Sequence, residues 1–70
     1  MPEILAPITG NVWEIHVSVG DVVSEGDVVV VLESMKLEIP VEAESSGKVV
    51  EILVAAGDAV AEEDVMVVLE

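Results

Sequence analysis

The stretch GNVWEIHVSVGDVVSEGDVVVVLE, residues 10–33, occurs a second time in this chain as GKVVEILVAAGDAVAEEDVMVVLE, residues 47–70. The copies align at a shift of 37 positions, since 47 − 10 = 37, and share glycines, aspartates and most apolar positions. Carried to the chain ends, the shift gives halves 1–33 and 38–70 and leaves residues 34–37 unpaired. Each half is too short to bury a core alone, which predicts two halves packed face to face about an approximate twofold axis.

Composition favours β-strands and one domain over residues 1–70. Hydrophobic residues make up 53% of the chain, many of them valine, and β-branched side chains pack well on pleated sheets. The absence of cysteine excludes a disulfide framework, a thiolate zinc site and a cysteine nucleophile. With one histidine in addition, no Ser/His/Asp or metal-centred constellation can be assembled. We therefore expect a domain that holds no metal and is not an enzyme.

Short apolar runs separated by turn residues predict an all-β fold without helices. Pairs such as Gly20-Asp21 and Gly26-Asp27 mark turns, because glycine permits positive φ and aspartate accepts turn hydrogen bonds. The predicted strands are Glu3–Ala6, Val12–Val17, Val22–Val23, Val28–Glu33, Leu37–Ala43, Val49–Val54, Ala59–Val60 and Val65–Leu69.

The apolar positions that the two copies share change parity within the second strand of each half. In a regular strand, residues of one face recur at every second position. The change predicts a β-bulge near Trp13 or Glu14, and again near Val50 or Glu51.

The second half departs from the first at one turn, where Glu63 stands in place of Gly26. Glycine adopts positive φ at little cost, whereas glutamate is strained there. The second turn must avoid positive φ or accept strain, and we expect the C-terminal half to differ at this point.

Fifteen acidic residues against two lysines give a net charge of -13. This charge repels phosphate backbones and anionic headgroups, so neither nucleic acid nor a membrane is an expected partner. The longest apolar run, Val28–Leu32, is far shorter than the roughly 20 residues that span a bilayer. We predict a cytoplasmic protein that is a monomer in isolation. A high-salt cytoplasm, in which cations screen the repulsion, is one hypothesis for the acidic excess.

The unpaired joint between the halves reads Ser34, Met35, Lys36, Leu37. A two-residue hairpin turn needs positive φ and usually contains Asn-Gly or Gly-X, neither of which is present. Local rules broken at an exposed loop are typical of a functional site. Lys36 would present a primary amine on a long, flexible side chain to a modifying enzyme.

The joint and its surroundings resemble a known family. The segment ESMKLEIP, Glu33–Pro40, with APITGNVW upstream and SSGKVVEILV downstream, is similar to the biotinyl attachment domains of biotin carboxyl carrier proteins. In that family the target lysine lies in an A/S/V-M-K-M/L context. The resemblance covers essentially the whole chain. It implies a flattened barrel-sandwich hybrid of two four-stranded antiparallel sheets with internal pseudo-twofold symmetry, and a modified lysine on a β-hairpin tip.

By this resemblance Lys36 is the biotin attachment residue, and biotin is the covalent cofactor. Met35 and Leu37 are flanking positions for recognition by a biotin protein ligase, and Ser34 and Glu33 complete the motif. The implied partners besides the ligase are a biotin carboxylase component and a carboxyltransferase component, between which biotin carries a carboxyl group. Ser34 and Leu37 depart from the commoner alanine and methionine.

Two alternative functions stay open. Lipoyl domains of 2-oxo acid dehydrogenase-type complexes resemble this fold but usually carry an acid just before the modified lysine, as in E-S-D-K-A. Met35 stands in that place, which favours biotin over lipoate. The other alternative is an unmodified structural module.

Three other residues invite a functional reading, and the repeat argues against each. Lys48 follows Gly47 at the start of a strand and is predicted to be a solvated strand-edge lysine that stays unmodified. His16 is matched by Leu53, which indicates a packed or half-exposed sheet position rather than a metal ligand. Trp13 is predicted to be half-buried in a sheet. The repeated acids are explained by turns, and their spacing does not match a calcium loop.

Overall fold

The structure is a computed structural model that describes residues 2–70. Strands are the only regular secondary structure among these residues, so the all-β prediction is confirmed. The described residues contain no helix of the length and apolarity that a membrane span requires. The strands are β1 Glu3–Leu5, β2 Gly10–Ile15, β3 Val22–Val23, β4 Val28–Ser34, β5 Leu37–Glu42, β6 Gly47–Ile52, β7 Ala59–Val60 and β8 Val65–Leu69.

Each of the two four-stranded antiparallel sheets contains two strands from each half, so the expectation that one half packs face to face on the other is wrong. One sheet has the order β1-β8-β6-β3, and the other has the order β5-β4-β2-β7. Exchanging each strand for its counterpart in the other half turns the first order into the second. The pseudo-twofold symmetry predicted from the repeat is therefore confirmed, and its operation exchanges the two sheets.

Hydrogen bonds outside the regular strand pairs follow the same pseudo-twofold symmetry. The N–H of Val12 donates to the carbonyl of Asp58, and the N–H of Val49 donates to the carbonyl of Asp21, both at 2.8 Å. Equivalent residues of the two halves thus make equivalent contacts. The repeated sequence encodes the same local structure twice.

The core lies between the inner faces of the sheets and is entirely apolar. No polar or charged side chain among residues 2–70 is buried. The fourteen buried hydrophobic residues form seven pairs, each related by the shift of 37, so both halves contribute the same positions. The pairs are Ile4 and Val41, Ala6 and Ala43, Val12 and Val49, Val23 and Val60, Val29 and Met66, Val30 and Val67, and Leu32 and Leu69.

Both predicted bulges are present. The pairing of β2 with β4 skips Trp13, and the pairing of β6 with β8 skips Val50. The extra residue reverses the alternation of the strand, so that Val12 before the bulge and Ile15 after it both contact the core. This explains the parity change in the sequence.

The predicted limits of the second strand in each half are wrong by two residues. Val12–Val17 is corrected to β2, which starts at Gly10, and Val49–Val54 is corrected to β6, which starts at Gly47. A Cβ on Gly10 would lie 2.7 Å from the carbonyl oxygen of Glu33, so the missing side chain lets the strands approach. The other differences are single residues at strand ends: β1 ends at Leu5, β4 at Ser34 and β5 at Glu42.

The turn that contains Glu63 has the same shape as the turn that contains Gly26. Their φ angles are 75° and 93°. In each turn the carboxylate of the next residue accepts a main-chain N–H from three residues earlier, at 2.9 Å for Asp27 and 2.8 Å for Asp64. The expectation that the C-terminal half differs here is therefore wrong. Glu63 accepts the strain because hydrogen bonds on both sides of it define the turn.

Candidate functional site

Residues 34–37 close the hairpin between β4 and β5. Ser34 pairs with Leu37, and Met35 and Lys36 are the two turn residues. Their φ angles are 52° and 68°. Positive φ at both central residues defines a type I′ turn, whose twist matches that of the flanking strands. Lys36 thus stands at the tip of a β-hairpin, as predicted from the repeat and the resemblance.

The turn adopts this conformation without glycine or asparagine. A residue with a Cβ is strained in the left-handed region by about 1 kcal/mol or more. The paired strands hold Met35 and Lys36 there, because six residue pairs join β4 to β5 up to the turn. The tip is therefore presented in a defined geometry although its own residues disfavour it.

The side chains of the tip point into solvent. Met35 is 91% exposed and Leu37 is 66% exposed, and Lys36 between them is also exposed. Within residues 2–70 the structure contains one ion pair, between His16 and Glu14. Lys36 therefore has no carboxylate partner among these residues. An accessible amine with two apolar neighbours is suited to acylation by an enzyme that recognises the tip.

Glu33 and Ser34, just before the turn, form the neck of the hairpin, which packs closely against the start of β2. Glu33 and Ser34 are half-buried. A Cβ added to Gly10 would lie 2.7 Å from the carbonyl oxygen of Glu33 and 3.4 Å from Cβ of Ser34. Glu38 lies directly opposite Glu33, which places two carboxylates of like charge behind the tip. Sequence reasoning missed Gly10 and Glu38, although the glycine common to both halves was an available signal.

Lys48 lies in a different environment from Lys36. Its side chain is exposed, as predicted, but β6 lies between β8 and β3, so the prediction of a strand edge is wrong. The pairing of Lys48 with Val22 in the short strand β3 explains the difference. Lys48 also exchanges main-chain hydrogen bonds with Glu70. Its main chain is thus held within a sheet and does not form a projecting turn.

His16 is partly exposed, as predicted, but it follows the last residue of β2, and Trp13, which was predicted to be half-buried, is exposed within β2. Nε2 of His16 lies 3.4 Å from Oε1 of Glu14, and the histidine side chain is 42% exposed. Trp13 is 49% exposed. Within the described residues no group of three or more His, Cys, Asp or Glu side chains is placed to hold a metal ion.

Comparison with known proteins identifies the family. The family model described as "Biotin-requiring enzyme", of the biotin/lipoyl type, matches residues 1–69. The chain belongs to the biotin/lipoyl attachment family. Members of this family are carrier domains and not catalytic domains, so the prediction that this domain is not an enzyme agrees with its family.

Two curated relatives of the attachment family match the chain over part of its length. It is 49% identical over 39 residues to a "Biotin/lipoyl attachment protein" of Bacillus subtilis, covering 56% of this chain and 53% of that protein. It is 54% identical over 41 residues to the "Biotinylated protein TB7.3" of Mycobacterium tuberculosis, covering 59% of this chain and 58% of that protein. The chain thus spans somewhat more than half the length of these relatives.

A solved structure matches nearly the whole chain. The crystal structure of Kluyveromyces lactis urea carboxylase superposes with a TM-score of 0.92 at 39% sequence identity. The match covers 99% of this chain and 6% of that chain. An attachment domain of this fold therefore occurs as a small part of a carboxylase, and the predicted fold of two four-stranded sheets is confirmed.

Proposed function

We propose that this chain is a biotin carrier and that Lys36 is its attachment residue. The observation that supports the site most directly is the position of Lys36 at the tip of a type I′ hairpin, exposed and without an ionic partner among residues 2–70. Condensation of Nζ with the carboxyl group of biotin, with net loss of water, forms an amide and removes the lysine charge. The tip then becomes more apolar, and the domain becomes more negative by one unit.

The residues around Lys36 are proposed as the contacts of a biotin protein ligase. Met35 and Leu37 flank the amine with exposed apolar side chains. These side chains offer a contact area to the ligase, and no buried side chain has to move for the contact to form. Ser34 and Glu33 are half-buried at the neck, so they fix the direction in which the tip projects. The ligase thus meets a preformed turn, and little conformational freedom is lost on binding.

The proposed partners after attachment are a biotin carboxylase and a carboxyltransferase. When attached, biotin supplies a ureido nitrogen that accepts and releases a carboxyl group, whereas the catalytic groups belong to the partners. This chain contributes a rigid sheet, a fixed turn and a flexible lysine side chain. Tethering in this way raises the effective concentration of the carried group at each active site.

Biotin is favoured over lipoate by the residue before the lysine and by the relatives. Met35 stands where lipoyl domains usually have an acid. The tuberculosis relative, 54% identical over the matched stretch, is described as biotinylated. A lipoyl carrier is the second candidate within the same fold, because the attachment family includes both kinds of domain.

Intact mass and an avidin blot test the proposal after coexpression with a biotin protein ligase. We expect one biotinyl group on the wild-type chain and none on Lys36→Arg, with the same thermal unfolding for both, since the substitution lies at an exposed tip. Lys48→Arg is the matched control and should be labelled like the wild type. Lipoate on Lys36, label on Lys48, or an unmodified chain beside active ligase and free biotin would each overturn the assignment.

We also propose that the chain is monomeric in isolation and resides in the cytoplasm. The net charge of -13 repels a second copy. Three of the four edge strands, β1, β3 and β7, have three residues or fewer, and β5 contains Pro40, which lacks the N–H that edge pairing needs. Sedimentation equilibrium and cell fractionation test the two statements separately.

A further inference from the structure

Trp13 is an exposed aromatic residue whose size the scaffold does not need. It is the extra residue of the bulge in β2, and Val50 is the extra residue of the equivalent bulge in β6. The two bulges have the same register, so the fold requires an additional residue here but no indole ring. Trp13 is nevertheless 49% exposed, and exposed aromatic residues are enriched at the centres of protein interfaces.

Trp13 belongs to an apolar row across the outer face of the hairpin sheet. Val31 lies opposite the bulge and pairs with Pro40 of the edge strand β5. The neighbours Leu32 and Ile39 contact the core, so Val31 and Pro40 face outward by the alternation of a strand. We call Trp13, Val31 and Pro40 the Trp13 face.

The other sheet has no such face, although the repeat would allow one. The equivalent positions there hold Val50, Val68 and Glu3, so a carboxylate replaces the proline and a smaller residue replaces the tryptophan. The buried positions of the two halves stay apolar in all seven pairs. The halves therefore differ on the outer surface of the sheet whose β4–β5 hairpin bears the attachment lysine.

Acidic residues border the Trp13 face. Glu33 and Glu38 pair with each other between the face and the hairpin tip. Glu14 is paired with Val31, beside the bulge, and Glu42 follows Pro40 on the same side of β5. The strands of this sheet contain no lysine, arginine or histidine, and His16, which directly follows β2, lies 3.4 Å from Glu14. A complementary partner has an apolar pocket for the indole and a rim of lysine or arginine side chains.

We propose that the Trp13 face is the docking surface for the biotin carboxylase that uses this carrier, and that this enzyme presents such a basic-rimmed apolar pocket. The inference rests on the proposed function and adds a second contact to it. The Glu33–Glu38 pair separates the face from the turn. Contacts at Met35 and Leu37 serve a ligase that acts on the tip, whereas the face binds an enzyme that holds the sheet while the hairpin enters its active site.

The test compares Trp13→Val with the wild type, because Val50 shows that valine is accommodated at this bulge. Holo-carriers are carboxylated with bicarbonate and ATP by a biotin carboxylase of the source organism that accepts the wild type, and release of ADP is followed against carrier concentration. We expect KM to rise about tenfold or more and kcat to change less than about twofold. Pro40→Glu, which copies Glu3, should also raise KM without altering the bulge.

Val22→Ala is the matched control, since Val22 is 78% exposed on the edge strand β3 of the other sheet. It should leave KM unchanged. The carboxylation of free biotin by the same enzyme and the rate of ligase labelling should be equal for all variants.

Unchanged KM for both Trp13→Val and Pro40→Glu would overturn the docking surface while leaving the carrier function intact. Slower ligase labelling of Trp13→Val would assign the face to the ligase. A wild-type dimer that Trp13→Val dissociates would assign it to a second copy of the chain. If no biotin carboxylase of the source organism carboxylates the wild-type holo-carrier, the docking proposal is also overturned. If Lys36 carries no biotin, the proposed function itself is overturned.

Discussion

Glu63 adopts the left-handed conformation of Gly26, its counterpart in the first half, with φ of 75° against 93°. A residue with a Cβ is strained there, because the Cβ crowds the following carbonyl oxygen, and glycine has no such contact. Glu63→Gly should therefore raise the free energy of unfolding by about 1 kcal/mol. For a domain of this size the midpoint of thermal unfolding should rise by about 4–8 °C.

The first half supplies the reverse experiment. Gly26→Glu should lower the free energy of unfolding by a similar amount, and a Cβ added at Gly26 meets no atom within 4 Å, so no clash contributes. A loss of stability in Glu63→Gly would show that the strain at Glu63 is smaller than the sum of its side-chain contacts and the extra freedom that glycine gives the unfolded chain.

The sequence predicted those features that depend on repetition. Because each buried residue has a counterpart in the other half, the repeat indicated the pseudo-twofold symmetry and the position of the joint that carries Lys36. It did not indicate that strands of both halves pair within each sheet. The parity change located the bulges at Trp13 and Val50 for the same reason. Turn aspartates such as Asp27 were also recognisable, since their carboxylates accept nearby main-chain N–H groups.

The features that were missed depend on contacts between distant segments. Gly10 lies outside the predicted strand Val12–Val17, but it begins β2, where its missing Cβ leaves room for Glu33. Glu63 was expected to change its turn, but its N–H donates to the carbonyl of Ala6 at 2.8 Å and keeps the turn in place. The Trp13 face could be recognised only from the register of β2, β4 and β5, which cannot be read from a single sequence.

Asp27 should stabilise its turn through one side-chain hydrogen bond. Its Oδ2 accepts the N–H of Ser24 at 2.9 Å. Asp27→Ala should lower the free energy of unfolding in urea by about 1 kcal/mol. Asp27→Asn keeps an oxygen acceptor and should lose less than half of that amount. Equal losses in the two variants would mean that the charge, and not the hydrogen bond, is responsible.

Gly10→Ala should impair both stability and labelling. The added Cβ would lie 2.7 Å from the carbonyl oxygen of Glu33, so β4 must move at the neck of the hairpin. We expect a loss of about 1–3 kcal/mol in the free energy of unfolding and slower ligase labelling of Lys36.

Gly47→Ala is its control, because the Cβ would lie 2.9 Å from the carbonyl oxygen of Glu70, which directly follows β8 of the other sheet. Its stability should fall while its labelling rate stays normal. Equal labelling rates for Gly10→Ala and Gly47→Ala would show that the neck does not position the lysine.

Stability should rise with salt concentration. The net charge of -13 opposes the compact state, and the screening length falls from about 30 Å at 0.01 M salt to about 3 Å at 1 M. We expect the midpoint of thermal unfolding to rise by more than about 5 °C over this range of NaCl.

The Glu33–Glu38 pair provides a local check of the same effect. The two carboxylates lie directly opposite each other, which is unfavourable by a few tenths of a kcal/mol up to about 1 kcal/mol. Glu38→Gln should therefore stabilise the domain at 0.01 M NaCl and have little effect at 1 M. If the midpoint of thermal unfolding of the wild type does not change with salt, self-repulsion does not affect its stability.

Met35→Asn should separate the strain of the turn from its recognition. Met35 has φ of 52° and is 91% exposed, so its side chain contributes no packing, and asparagine tolerates this conformation better. The midpoint of thermal unfolding should therefore stay equal or rise, by an amount corresponding to a few tenths of a kcal/mol. Ligase labelling of Lys36 should nevertheless slow several-fold, because an apolar contact beside the amine is lost.

Leu37→Asn is the matched variant for Met35→Asn. Leu37 lies in β5, outside the residues with positive φ, and is 66% exposed, so asparagine there relieves no strain and removes the second apolar neighbour of Lys36. It should slow labelling without stabilising the domain. If Met35→Asn is labelled at the wild-type rate while Leu37→Asn is slow, recognition depends on one side of the lysine only. If both are labelled normally, the ligase recognises the shape of the turn and not its apolar side chains.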